Sequence, residues 1–143
     1  MSTYSLINNG DTGLQARTKI NDIINKVNNT QFFDGTASTT TTSSSLVSSI
    51  PMTGYNGAVI KIDAFGYGAT NSNAVGITSF HVFKLFDGGL EPVSTSDLYI
   101  KTDFTTATLD VTATNDESIE IYVVGETDTD INWAISYSVL KLN

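Results

Sequence analysis

From Leu46 to the C-terminal end, apolar residues fall at every second position in short runs, and turn residues interrupt them at spacings of roughly 8–12 residues. The last run is the cleanest. In it Ile131, Trp133, Ile135, Tyr137 and Val139 alternate with Asn132, Ala134, Ser136 and Ser138. A period of two puts the five apolar side chains on one face of a strand, whereas a helix would scatter them around its circumference. A chain patterned this way must bury one face of a sheet. With turns rather than helices between the runs, that sheet is antiparallel and folds onto a second one.

Six further runs extend the pattern. Leu46–Met52 leads into the turn residues 53–57, and Ala58–Phe65 carries Ile60, Ile62 and Ala64 on one face. A loop rich in glycine and asparagine, Gly66–Asn73, precedes Val75–Phe86, which is apolar on both faces as a central or oligomer-buried strand would be. Asp87-Gly88-Gly89 is a hairpin turn, with Pro92 beside it and outside any strand pattern. Leu98–Phe104, Thr106–Thr114 and Ser118–Val124 follow, the last two joined through Asn115-Asp116-Glu117. Composition agrees: Ser and Thr form about a quarter of the chain, and charged residues are 15%, against about 25% in an average soluble domain. The expected fold is all-β, an antiparallel β-sandwich or jelly-roll-like domain over residues 46–143.

The first part of the chain is patterned differently. Asp11 and Thr12 are both N-cap residues, and Ala16, Ile20, Ile23 and Val27 follow at steps of 4, 3 and 4, with Ile24 widening the stripe. The spacing predicts a helix over about 13–28, closed by Asn28-Asn29. So short a helix is marginal alone in water. Its stripe needs a cover, either the chain's own β domain or the same stripe of other copies. Isoleucine at both core positions favours three or more strands in a coiled coil, so these five residues are the candidate trimerisation surface. Residues 36–45 are a polar run of Ser and Thr with one alanine, expected to be a linker between an N-terminal attachment segment, 1–35, and the β domain.

Several functions are disfavoured. There is no cysteine, so no disulfide or zinc–thiolate site. No run approaches the ~20 apolar residues of a membrane helix, and Met1-Ser2-Thr3-Tyr4 has neither the basic nor the apolar region of a secretion signal. A net charge of −8 with seven scattered Lys and Arg gives nucleic acid no phosphate-binding patch.

His81 is the sole histidine and lies within a strand pattern, and no serine has the Gly-x-Ser-x-Gly surroundings of a hydrolase. Carboxylates are available in Asp63, Asp87, Asp97, Asp103, Asp110 and Glu120, but sequence spacing does not pair them. The loop from Glu126 to Asn132, with Asp128 and Asp130, has oxygen ligands without the EF-hand pattern. It reads as a calcium loop or as a solvated acidic turn. The expectation is a protein without enzymatic activity or cofactor. Tyr55 and Tyr67, placed in loops beside Asn residues, are candidate glycan contacts, which keeps a carbohydrate-binding module as the alternative.

The segment Asn8-Asn9-Gly10-Asp11-Thr12-Gly13-Leu14-Gln15-Ala16-Arg17-Thr18-Lys19-Ile20-Asn21 resembles a stretch of tailed-bacteriophage appendage proteins, in which Gly-Asp-x-Gly, an Arg and Lys-Ile-Asn recur in that order. Thr129–Ile135 is similar to the closing strand of small phage fibre-tip domains. The resemblance implies a trimeric virion protein, attached to other capsid or tail proteins through its N-terminal segment, whose β domain faces outward and touches the host surface. Lacking a long coiled-coil or β-helical shaft, the chain fits a small head fibre, a capsid decoration or a tail-fibre tip better than a long tail fibre.

Overall fold

A computed structural model of the chain describes residues 10, 12–114 and 117–143, and the side chains of these except 23–32 and 95–99. The candidate cap Asp11, the segment 1–9 and the turn residues Asn115 and Asp116 lie outside the described residues. So do the side chains of Ile23, Ile24 and Val27.

One helix, α1 (Gly13–Asn29), precedes eight strands: β1 (Thr30–Thr39), β2 (Ser44–Pro51), β3 (Gly57–Gly68), β4 (Ala74–Phe86), β5 (Gly89–Thr102), β6 (Thr108–Thr114), β7 (Ser118–Val124) and β8 (Ile131–Leu142). Thr12 begins the helix with a capping box: the Gln15 N–H donates to the Thr12 hydroxyl at 3.3 Å, and the Thr12 N–H donates to Gln15 Oε1 at 2.9 Å. The helix lies beside β1 and β8. Ala16 is half-buried and Ile20 is 45% exposed.

All strand pairs are antiparallel, in a five-stranded sheet ordered β1-β8-β3-β4-β5 and a three-stranded sheet ordered β2-β7-β6. The inner faces meet in one core. Ile60 and Ile62 from β3, Val75 from β4, Ile119, Ile121 and Val123 from β7 and Ile131 from β8 are fully enclosed, each aliphatic side chain stabilising the fold by ~1.5–3 kcal/mol. The alternation in β8 holds to its end: Ile131, Trp133, Ile135, Tyr137, Val139 and Lys141 all point inward.

Three expectations need correction. The polar run 36–45 is not a linker. Thr36–Thr39 complete β1, Ser44 and Ser45 open β2, and only residues 40–43 turn between them. β1 is an edge strand with one face in water, where threonine is as good a strand former as valine, and its partner β8 lies about a hundred positions downstream. Pro92, in turn, lies inside β5. It tolerates that place because β5 is an edge strand and the register with β4 shifts between Val82 and Phe83, opposite Ser94 and Pro92. β3 likewise runs on through Tyr67 to Gly68, shortening the expected loop.

β1 with β8 and β2 with β7 form one antiparallel ribbon doubled over between the sheets, as in a jelly roll, whereas β3, β4 and β5 form a simple meander. The ribbon bends at residues 40–43 and 125–130. Gly125 is buried there, and a Cβ on it would lie 2.1 Å from the Thr41 carbonyl oxygen and 2.7 Å from the Thr39 side chain. The buried Thr39 hydroxyl accepts the Trp133 indole N–H at 3.1 Å. Across the bend, the Thr106 hydroxyl donates to the Gly125 carbonyl at 2.8 Å, and Glu126 Oε2 accepts the Thr105 and Thr106 N–H groups at 2.7 and 2.8 Å.

Gly125→Ala is expected to destabilise the protein by about 1–3 kcal/mol in urea unfolding, because the obstacle is backbone and cannot rotate away. An unchanged midpoint would show that the bend can open. The N–H groups donated by Thr106 and Thr105 hold the Glu126 carboxyl below the ordinary glutamate range against a smaller opposing effect of burial. A lowered folded-state pKa contributes stability above the unfolded value of about 4.3, and that stability is lost as pH falls through the folded value. Wild type is therefore expected to exceed Glu126→Gln in stability at neutral pH and to converge on it in acid. A gap independent of pH would contradict this role.

Candidate functional site

The outer face of the five-stranded sheet carries the exposed chemistry. Two consecutive rungs cross it. In the first, Thr36, Ala134, Phe65 and Gly76 stand in register on β1, β8, β3 and β4; in the second, Asp34, Ser136, Asp63 and Thr78 do. Small side chains at Gly76, Ala134 and Ser136 leave a trough of about 740 Å³ between the exposed Phe65 ring and the two carboxylates, within the range of small-molecule clefts. Asp34 and Asp63 sit two strands apart, about 9–10 Å between backbones. The Thr78 hydroxyl donates to Asp63 Oδ1 at 2.7 Å, and Lys61 Nζ approaches Asp63 Oδ2 at 4.0 Å.

Gly76 sets the depth of this trough. A glycine inside a strand weakens it by roughly 0.5–1 kcal/mol relative to alanine, so each one calls for a reason. Cβ atoms on Gly57, Gly66 and Gly68 would come within 3 Å or less of neighbouring atoms, and one on Gly35 would press on Val47 at 3.2 Å. A Cβ on Gly76 would meet nothing within 4 Å. Its backbone is not among those with positive φ, and the shifts in β4–β5 register lie farther along the strand. Packing and conformation therefore leave the glycine unexplained.

Tyr67 projects from the same face two residues beyond Phe65, 44% exposed. Tyr55 is at the other end of β3, about 40 Å away along the strand, half-buried against the core with Lys141 Nζ 4.8 Å above its ring. The two tyrosines expected as glycan contacts do not share a site, because β3 separates them by its whole length. Phe65, which did not stand out in the sequence, is the exposed aromatic residue beside Tyr67 on this face. The available signal was Phe65 and Tyr67 at a spacing of two, both outside the apolar set of Ile60, Ile62 and Ala64.

The Tyr55 end of the same face is apolar. Val59, Val82, Leu140 and Leu142 line a groove of about 390 Å³, with Leu140 and Leu142 51% and 71% exposed. β1 begins directly opposite Leu140, so α1 leads into this end of the sheet.

The remaining candidates scatter. His81 is buried on the inner face of β4, its Nε2 2.9 Å from the Ser79 hydroxyl. Asp103 Oδ2 accepts the Ala74 N–H at 3.1 Å. Asp87 and Asp128 hold left-handed turn conformations, with φ of 49° and 53°. Asp110 and Glu120 are on the other sheet, Glu120 accepting the Tyr122 hydroxyl, and the Asp97 side chain is outside the described ones. The Glu126 carboxylate, hydrogen-bonded across the bend, is turned toward Thr105 and Thr106 rather than toward Asp128 and Asp130. Among the described residues no three His, Cys, Asp or Glu side chains converge as a metal site.

No protein-family model and no curated protein matches the sequence. The fold is similar to part of the tailspike protein of Acinetobacter baumannii phage AM24, with a TM-score of 0.51 and 10% identity, covering 80% of this chain and 27% of the tailspike. A second tailspike, gp49 of Acinetobacter baumannii bacteriophage Fri1, a capsular polysaccharide depolymerase, is covered over 20% of its length at 9% identity and a TM-score of 0.43. The chain thus spans about a quarter of the AM24 tailspike, and at this identity the likeness establishes a shared fold.

Lys141 closes the Tyr55 end from inside, its Nζ donating to the Pro51 carbonyl at 2.7 Å and so tying β8 to β2. Burial disfavours the charged form and pulls its pKa below the ordinary lysine value. The unfolded chain then holds this proton more tightly, so this contribution to stability rises with pH between the folded value and about 10.4. Urea titrations of wild type and Lys141→Met at neutral and alkaline pH are expected to show the difference moving in favour of wild type as pH rises. A shift in the opposite direction would mean the ammonium is better solvated than its position implies.

Proposed function

We propose that this chain is a non-enzymatic structural module of a bacteriophage tail appendage, a virion component that assembles as a homotrimer and presents its sandwich to the host surface. The observation that carries the reading is the fold likeness to a segment of a phage tailspike, spanning most of this chain. It agrees with the appendage-like pattern of Asn8–Asn21 in the sequence itself. A tailspike-like fold favours a tail placement over a head fibre or capsid decoration. In this reading the residues before β1 attach the module to other virion proteins.

The apolar end of the large sheet supports assembly. Leu140 and Leu142 are exposed beside the start of β1, where α1 enters, and the helix offers Leu14 at 71% exposure and Ile20 at 45%. Three copies meeting around their helices would cover the isoleucine stripe and this patch together, removing apolar surface from water at both. His81, buried and bonded to Ser79 inside the sandwich, fits a packing role in this reading.

Light scattering on the purified chain is the direct test. A mass three times 15.3 kDa is expected, falling toward the monomer when Ile20→Asp and Leu140→Asp are combined. A chain that stays at 15.3 kDa at every concentration overturns the trimer.

A further inference from the structure

We propose that the trough over Gly76 binds one uncharged pyranose ring of a glycan chain. The proposal deepens the reading of the module as host-contacting and rests on it. Glycine inside a strand marks a close approach of something to the backbone when neither packing nor φ explains it. For Gly76 the approach comes from the open, outward side, where no part of the described structure stands.

The walls say what chemistry would fill the space. Phe65 offers an exposed aromatic face, suited to the flat C–H face of a pyranose. Asp34 and Asp63, on the second rung, are acceptors only, so the occupant must bring donors. Sugar hydroxyls do so around the whole ring, and a carboxylate can accept from two adjacent ones. Thr36 and Ser136, which donate or accept, complete the rim. An apolar segment of a second copy would bring no donor to either carboxylate, leaving Asp63 only the Thr78 hydroxyl and the Lys61 ammonium 4.0 Å away, an expensive arrangement. An acidic sugar would meet carboxylates in the trough and a chain of net charge −8 around it. Tyr67, two residues beyond Phe65 on the same face, continues the aromatic surface for a neighbouring ring of the chain.

Gly76 also supplies the test. Gly76→Val enters the trough from its floor, with a Cβ that meets no atom within 4 Å, and suits a strand better than glycine. A glycan array carrying neutral hexose, N-acetylhexosamine and uronate oligosaccharides would be probed with wild type, Gly76→Val and Phe65→Ala, each checked by thermal melting and light scattering. Wild type is expected to retain one or more of the uncharged oligosaccharides. Gly76→Val and Phe65→Ala should each weaken that binding at least tenfold, with the melting temperature of Gly76→Val unchanged or higher. Retention of uronate oligosaccharides alone, equal binding by Gly76→Val, or no binding by any form would overturn the proposal. So would a fall in mass on Gly76→Val, which would make the trough a contact between copies. The arms are separable: a trimer that binds no sugar leaves the appendage reading intact, and a monomer that binds through the trough overturns the trimer instead.

Discussion

The fold depends on a ribbon that bends. β1 and β2 pair with β8 and β7, and the doubled chain passes from the large sheet to the small one at residues 40–43 and 125–130. At that bend two backbones pass so close that residue 125 has no room for a Cβ. The Trp133 indole meets a buried threonine hydroxyl, and the N–H groups of residues 105 and 106 end on one carboxylate. A bend exposes backbone donors and acceptors that a straight ladder would pair, and each must find another partner. The ribbon joins the first two strands to the last two and so ties the two sheets together. The isoleucines of β3 and β7 then meet across the interior.

The same architecture decides what the outside can do. The inner face is filled by Ile, Val, Trp and Tyr, and the lone histidine is buried there, bonded to Ser79. What remains for recognition is the broad outer face of the large sheet. That face is divided: hollow around Gly76, with Asp34 and Asp63 at the edge of the hollow, and apolar at the Leu140 end. A hollow lined by acceptors and one aromatic ring suits a hydroxylated ligand, while an apolar end beside an amphipathic helix suits another copy. In the proposed reading, separate surfaces would let assembly and recognition proceed together.

Much of the fold was legible in the sequence, for identifiable reasons. The helix showed in the 4-3-4 spacing of Ala16, Ile20, Ile23 and Val27, and its start in the cap residues Asp11 and Thr12. Strands with a water-facing side and a core-facing side announced themselves by alternation, β8 most plainly. β1 and the first half of β5 did not, because both are edge strands. β1 is polar, and its pairing is with residues far downstream. β5 contains a proline that only a bulged edge tolerates. Local pattern carries no record of such partners.

The candidate site was less legible still. Tyr67 was visible as an aromatic outside the core set, but Phe65 read as one more strand residue and Asp34 as part of an attachment segment. What the sequence by itself determined is the choice between inside and outside at each strand position, since period two and side-chain hydrophobicity are local properties. Only the tertiary structure decided which outward residues stand together. Asp34, Asp63, Phe65, Gly76 and Ser136 come from four strands, and their rungs are fixed by register, a long-range property set by where the ribbon bends and where the hairpins turn.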